Sequence, residues 1–264
     1  MEFWLLYLTT GVFAGFLAGL LGVGGGLVIV PVLAFIFAAQ HFPPELIMHL
    51  ALGTSLASIM FTSISSLRAH HAHGAVSWAV VRGITPGIIA GTLAGTVVAA
   101  QLSTAFLKGF FVMFLYYVAT QMIMNIKPKP SRDLPGMIGM FSAGGVIGAV
   151  SSLVGIGGGT LSVPFMTWCN VKLHQAIGTS AAIGFPIAAA GAVGYIANGW
   201  MRDALPAFSL GFVYLPALAG LVVASVLTAP FGARLAHRLP VARLKQFFAL
   251  LLYALGTRML FSLF

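Results

Sequence analysis

Gly22 to Pro31 reads GVGGGLVIVP, and Gly155 to Pro164 reads GIGGGTLSVP, so one chain carries the same pattern twice. Each copy interrupts a long apolar run with three adjacent glycines, where an unbroken helix would be the simplest structure. A glycine in a helix interior costs roughly 1 kcal/mol relative to alanine. In hydrocarbon, the backbone groups freed by a break cannot turn to water, so a break persists only where protein covers it or where it lines a wet cavity. Two readings follow. Either the glycines let helices approach closely, as spaced small residues do, or they turn the chain back as a helical hairpin that builds a site. Packing motifs are spaced and these glycines are contiguous, which favours the hairpin.

The surrounding composition sets the environment. The 264 residues are 59% hydrophobic and 6% charged, with a mean hydropathy of +1.03, whereas roughly a quarter of the residues of soluble domains are charged. This is the composition of an integral membrane protein. Its 13 Lys and Arg against 4 Asp and Glu give a formal charge of +9. In short loops between spans these report topology and a preference for anions, not nucleic acid. Cys169 is the only cysteine and reads as a small buried residue. The first apolar run is flanked by Glu2 rather than a basic stretch, has no small-residue cleavage motif and recurs mid-chain, so it is expected to be retained structure, not a leader.

Charge-free stretches mark the buried segments: 3–40, 46–67, 83–107, 109–126, 134–171, 175–201, 204–233 and 246–257. The basic run KPKPSRD, Lys127 to Asp133, separates two halves that match beyond the glycines. HLALGTS at His49 to Ser55 answers HQAIGTS at His174 to Ser180. AHG at Ala72 to Gly74 answers ANG at Ala197 to Gly199. LKGFF at Leu107 to Phe111 answers LKQFF at Leu244 to Phe248, and Thr120-Gln121-Met122 answers Thr257-Arg258-Met259. The spacing between copies drifts through loop-length changes, which surface connections tolerate. The expected organisation is a first transmembrane repeat over 1–126, a basic linker at 127–133 and a second repeat over 134–264.

Positive charges decide the orientation of the repeats. If each glycine-broken run crosses once, each half has four spans and the Lys and Arg split evenly. If each run bends and returns, Arg68, Arg82, Lys127, Lys129, Arg132, Lys172, Arg234, Arg238, Arg243 and Lys245 fall on one side, against Lys108, Arg202 and Arg258 on the other. Only the second arrangement obeys the positive-inside rule. The expected fold is therefore an all-α membrane protein of two inverted repeats, each a glycine-broken helical hairpin plus three further transmembrane helices, about 8–10 membrane segments in all. Leu27 to Gln40 would span only about 21 Å as a helix, short of the ~30 Å hydrocarbon core, so the second arm of the hairpin is either re-entrant or a short span. Gly11, Gly15 and Gly19, and again Gly87, Gly91 and Gly95, recur every fourth residue and predict two tight packing faces.

Gly53-Thr54-Ser55 and Gly178-Thr179-Ser180 pair a helix-loosening glycine with two hydroxyls. They could form a neutral anion cradle with freed backbone N–H groups, or bond their own i−4 carbonyls and merely bend the helix. The candidate substrate site combines the backbone of Gly24, Gly25, Gly26, Gly157, Gly158 and Gly159 with Thr54, Ser55, Thr179 and Ser180. Glu2, Glu45, Asp133 and Asp203 all lie at segment ends, leaving no carboxylate for a proton relay. His49 and His174 sit near segment starts, as interfacial residues do. Arg68, His70, His71 and His73 read as a basic loop, with no Cys or carboxylate nearby to complete a metal site. No nucleophile elbow, HExxH pair or phosphate loop is present, so no catalytic residue, metal or cofactor is expected.

The duplicated glycine motif with GTS downstream, the Arg/His-rich stretch before Ala75-Val76-Ser77-Trp78, and the closing GARLAHRLP (Gly232 to Pro240) and LGTRML (Leu255 to Leu260) together resemble the sulfite exporter TauE/SafE family of membrane permeases. The likeness runs from about Leu5 to Leu260. It implies a bacterial inner-membrane transporter that exports small sulfur-containing or organic anions such as sulfite, thiosulfate or sulfoacetate-type sulfonates. Its partners would be the anion and the lipid bilayer. A non-transporting membrane scaffold, or a carrier of an unrelated small solute, is the competing reading. His73 answers Asn198 in the second half, so symmetry assigns that position no role.

The charge split makes a direct prediction: a reporter fused after Lys129 reads cytoplasmic and one at the C-terminus reads periplasmic. Reporters on the same side would show that each half has an even number of crossings.

Overall fold

The computed structural model describes residues 2–21, 25–124, 131–200, 202, 204–236 and 241–262. Among these it contains ten helices and a two-stranded ribbon. The first five helices are α1 (Glu2–Leu21), α2 (Gly26–Ala39), α3 (Ile47–Ala72), α4 (Trp78–Gln101) and α5 (Thr104–Ile123). The second five are α6 (Met137–Val154), α7 (Gly159–Trp168), α8 (Leu173–Gly199), α9 (Leu215–Ala236) and α10 (Val241–Phe261). Seven of them, α1, α3, α4, α5, α6, α8 and α9, are long and apolar enough to cross a membrane.

Both glycine motifs break the chain where the sequence places the break. α1 stops at Leu21 and α2 starts at Gly26; α6 stops at Val154 and α7 starts at Gly159. The residues capping α2 and α7, Gly25 and Gly158, have φ of +78° and +76°, a left-handed conformation that only glycine adopts without strain. At 14 and 10 residues, α2 and α7 reach about 21 and 15 Å, too short to cross the hydrocarbon core.

Packing joins the halves reciprocally. α1 lies along α9 and α4 along α6, so each half's first helix packs on the other half's fourth. The α5–α10 contact repeats the exchange in detail: the Tyr116 hydroxyl bonds Thr257 Oγ1 at 2.8 Å, and Thr120 Oγ1 bonds the Tyr253 hydroxyl at 2.6 Å. α3 and α8 pack on each other at the centre. Their spans are 83% and 72% buried, against 39–44% for the other five, so the long GTS helices form the core and the others face lipid. The outward belt includes Leu5, Phe13, Met113, Met137, Ile138, Leu227 and Phe231, all exposed.

The two glycine ladders account for the reciprocal pairing. Gly11, Gly15 and Gly19 of α1 sit against Leu221, Ser225 and Ala229 of α9, while Gly87, Gly91 and Gly95 of α4 sit against Phe141, Gly145 and Ala149 of α6. A Cβ at most of these positions would strike backbone, so the helices touch main chain to main chain, as the four-residue spacing predicts.

Two boundaries differ from expectation. Residues 204–233 read as one apolar segment, yet α9 begins only at Leu215. Pro206 interrupts the preceding stretch and Gly211 has φ +54°, and the chain forms the ribbon β1 (Ser209–Leu210) and β2 (Val213–Tyr214). Only its tip packs inward, with Phe208 and Leu210 left exposed: Phe212 is buried, its N–H donates to Tyr195 O at 3.2 Å, and its ring lies 5.1 Å from that of His49. At the other boundary, α3 continues through the supposed basic loop to Ala72 and carries Arg68, His70 and His71 in its last turns. The Arg68 cation there complements the negative end of the helix dipole.

Gly91→Val should reduce the folded yield in detergent severely, because the added side chain meets the Gly145 carbonyl. Gly109→Ala, with nothing within 4 Å of the added Cβ, should instead be neutral or raise stability by up to about 1 kcal/mol. Thermal unfolding of the two variants checks the contrast.

Candidate functional site

The two breaks meet in the middle of the molecule. A Cβ on Gly26 would collide with the Gly155 carbonyl and approach Ile156, so the start of α2 rests directly on the α6–α7 turn. α3 and α8 enclose the meeting point. Ser55 Oγ donates to Gly155 O at 2.8 Å, tying the first half's core helix to the second half's break.

Each short helix begins there without a side-chain cap. The N–H groups of Val28 and Ile29 bond Gly25 O, and those of Leu161 and Ser162 bond Gly158 O. The preceding N–H groups, on Gly26 and Leu27 and on Gly159 and Thr160, have no acceptor inside their helices. All four residues are buried. Hydroxyls collect at the second break. Ser151 in the last turn of α6, and Thr160 and Ser162 in the first turn of α7, carry buried oxygens with no hydrogen-bond partner among the described residues. Unsatisfied donors, uncapped N-termini and low polarity around them are the conditions for holding a desolvated anion.

The ten expected site residues divide by role. Gly25, Gly26, Gly158 and Gly159 form the turns just described, and Gly157 lines a small cavity with Ser180. Gly24 lies outside the described residues. Ser55 and Ser180 donate to carbonyls, Ser180 to Ile177 O at 2.8 Å. Thr54 and Thr179 act at a different place from the turns. Thr54 Oγ1 accepts the N–H of Tyr214, and Thr179 Oγ1 accepts the N–H of Ser77, each at 2.9 Å. The preceding glycine makes room: a Cβ on Gly53 would strike Phe212 O, and one on Gly178 would strike Ala75 O. Thus each Gly-Thr pair docks the segment entering the other half's fourth helix. The sequence offered an anion cradle or a bent helix for this motif, and the folded chain adds a tether to the other half.

A larger cavity of about 750 Å³ opens at one end of the molecule, lined by Glu45, His49, Lys108, Arg202, Phe212 and Ser262 among others. Lys108 Nζ donates to Ser262 O and Oγ at 3.2 and 3.1 Å. His49 places Nδ1 3.2 Å from Glu45 O and Nε2 3.1 Å from Ala99 O, which fixes its ring at the cavity wall. No group of three or more metal-ligating side chains occurs among the described residues. Cys169 is buried, and burial pushes its thiol above the usual range, opposed by the nearby Arg132 charge, so it is chemically quiet.

A family model described as "Sulfite exporter TauE/SafE" matches residues 7–259. A probable membrane transporter protein of Haemophilus influenzae is 39% identical over 262 residues, covering 97% of this chain and 98% of the relative. A probable membrane transporter protein of Methanocaldococcus jannaschii is 26% identical, covering 97% and 94%. No solved structure matches the chain.

Thr54→Val should expose the unpaired Tyr214 N–H and cost about 1 kcal/mol, the loss being partial because the site is only half buried. Thr54→Ser, which keeps the acceptor, should unfold at the wild-type temperature. Equal behaviour of Val and Ser in thermal melts would contradict the tether.

Proposed function

The chain belongs to the sulfite exporter TauE/SafE family of membrane transporters, and from that we propose that it exports small sulfur-containing or organic anions, such as sulfite, thiosulfate or sulfoacetate-type sulfonates, across a bacterial inner membrane. The observation that carries the reading is the pair of buried helix N-termini at Gly25–Gly26 and Gly158–Gly159, neither with a side-chain cap, bordered by the hydroxyls of Ser151, Thr160 and Ser162, which have no partner among the described residues. Together they offer an anion hydrogen-bond donors without a permanent charge. A fixed Lys or Arg would bind tightly and release slowly. Hydrogen bonds to a charged group contribute about 1.5–3 kcal/mol each, so a few of them suffice for a site that lets go.

The two halves, 1–126 and 134–264, act in this reading as inverted repeats. The reciprocal pairing of α1 with α9 and α4 with α6, five helices on each side of the linker, and the one-sided distribution of Lys and Arg support it. Lys108 and Arg202 line one large cavity, and both fall on the side the positive charges leave extracytoplasmic, where the cavity would be the exit. An interior-negative potential favours outward anion movement by about 2.3 kcal/mol per charge at 100 mV, so export of the anion needs no proton relay.

Sulfite efflux from loaded proteoliposomes is the test. Thr160→Val and Ser151→Ala remove hydroxyls that bond nothing else in the described structure, so folded yield should stay at wild type while the half-saturation concentration rises about tenfold or more for each. Unchanged half-saturation in both variants would put the anion elsewhere, and no sulfite-dependent flux in the wild type would favour a non-transporting scaffold.

A further inference from the structure

The cavity of about 750 Å³ at the end of the molecule carries the fixed charge that the breaks lack, and it has room for an anion with much of its water. Its lining joins Lys108 from α5, Arg202 from the segment after α8, His49 from the first turn of α3 and one acidic residue, Glu45, from the loop before α3. α4 and the ribbon contribute Ala100, Gln101 and Phe212, none of them charged. Lys108 Nζ donates to Ser262 O and Oγ, and Arg202 Nη2 donates to Ala100 O at 3.3 Å. These acceptors are neutral, so they cancel neither charge. The bonds use two of the three ammonium donors and one of the five guanidinium donors.

His49 is the unusual member of this lining. It is 5% exposed, and both of its ring nitrogens face carbonyl oxygens, Nδ1 that of Glu45 at 3.2 Å and Nε2 that of Ala99 at 3.1 Å. A carbonyl only accepts, and a neutral imidazole has one N–H and one lone pair. Either neutral tautomer therefore points one ring lone pair at a carbonyl lone pair. The imidazolium alone satisfies both contacts, donating to each. The Phe212 ring, 5.1 Å away, offers a π-face that attracts a cation. Against the charge stand burial and the two neighbouring cations. His49 thus has acceptors placed for a second proton that its surroundings make costly, and an anion in the cavity offsets that cost.

We propose that this cavity is an anion site separate from the breaks, built for divalent oxyanions, in which His49 takes up a proton as the anion binds. Lys108 and Arg202 against Glu45 leave the lining one net positive charge while His49 is neutral and two once it is protonated, so the proton matches the second charge of the anion. The proton comes from water to the ring nitrogen that lacks one and returns there when the anion leaves. Proton and anion arrive and depart at the same end of the molecule, so the site needs no relay across the membrane. Because the occupied state holds more protons, affinity is highest below the ordinary histidine range and falls as pH rises through it, by up to about tenfold per pH unit. As the last stop of an exported anion the cavity rests on the export reading above; as a binding site it does not.

Sulfate is the probe, because it stays divalent across the histidine range whereas sulfite itself titrates there. Calorimetry of the purified full chain, in two buffers of different ionisation enthalpy at constant ionic strength, measures both the Kd and the protons taken up. Saturable sulfate binding is expected, with uptake of up to about one proton per anion near neutral pH, and the monovalent methanesulfonate should bind more weakly with less uptake. Arg202→Gln, at an exposed position, should raise the sulfate Kd about tenfold at unchanged Tm. His49→Gln should abolish the proton uptake and flatten the pH dependence; if that variant does not fold, the proton count of the wild type still decides. Sulfate binding without proton uptake in the wild type would overturn the role of His49. Unchanged sulfate Kd in both Arg202→Gln and Lys108→Gln, or no sulfate binding at all, would overturn the site. Thr160→Val, at the breaks, should leave sulfate binding here as in the wild type. Sulfate binding with proton uptake but no sulfite efflux from proteoliposomes would retain this site and refute the export reading, and efflux without sulfate binding would do the reverse.

Discussion

A backbone break inside hydrocarbon must be covered by protein, and the rest of this molecule follows from covering two of them. Each break ends one helix and starts a short one, leaving carbonyls on one side and N–H groups on the other that lipid cannot satisfy. The solution is to bring the breaks together, with Gly26 against Gly155, and to wrap them with the two longest helices. α3 and α8 are therefore the most buried spans. The outer helices close the structure by exchanging partners between halves, which requires the glycine ladders of α1 and α4 to lie flush against α9 and α6.

Satisfaction is incomplete, and its pattern is informative. Ser55 takes up the Gly155 carbonyl, while α2 and α7 start without a side-chain cap and three hydroxyls near the second break have no partner among the described residues. A purely structural break would be under pressure to lose such groups, since each buried unsatisfied donor costs about 1–3 kcal/mol. Their retention at one point, in a chain of the TauE/SafE transporter family, is what makes the breaks a candidate substrate site as well as turns.

Much of this was legible in the sequence because glycine placement in a membrane segment has few explanations. Contiguous glycines gave the breaks at Gly25 and Gly158, and glycines four apart gave the α1 and α4 packing faces. Charge-free runs located most spans. Residues 204–214 misled because apolar composition does not separate a span from a loop: Gly211, Phe212 and Val213 are buried against α3 and α8, while Phe208 and Leu210 stay exposed. The role of Thr54 and Thr179 was hidden for a related reason: their partners, Tyr214 and Ser77, lie in the other half of the chain, and no local spacing announces them.

The central claim is that the substrate anion sits at the meeting point of the two breaks. Selenite, a heavier relative of sulfite, makes the position directly observable by anomalous scattering from crystals of the full chain. The account predicts one selenium peak within hydrogen-bonding distance of the first N–H groups of α2 or α7, beside Ser151 and Thr160. A peak confined to the cavity lined by Lys108 and Arg202, with none at the breaks, would contradict it.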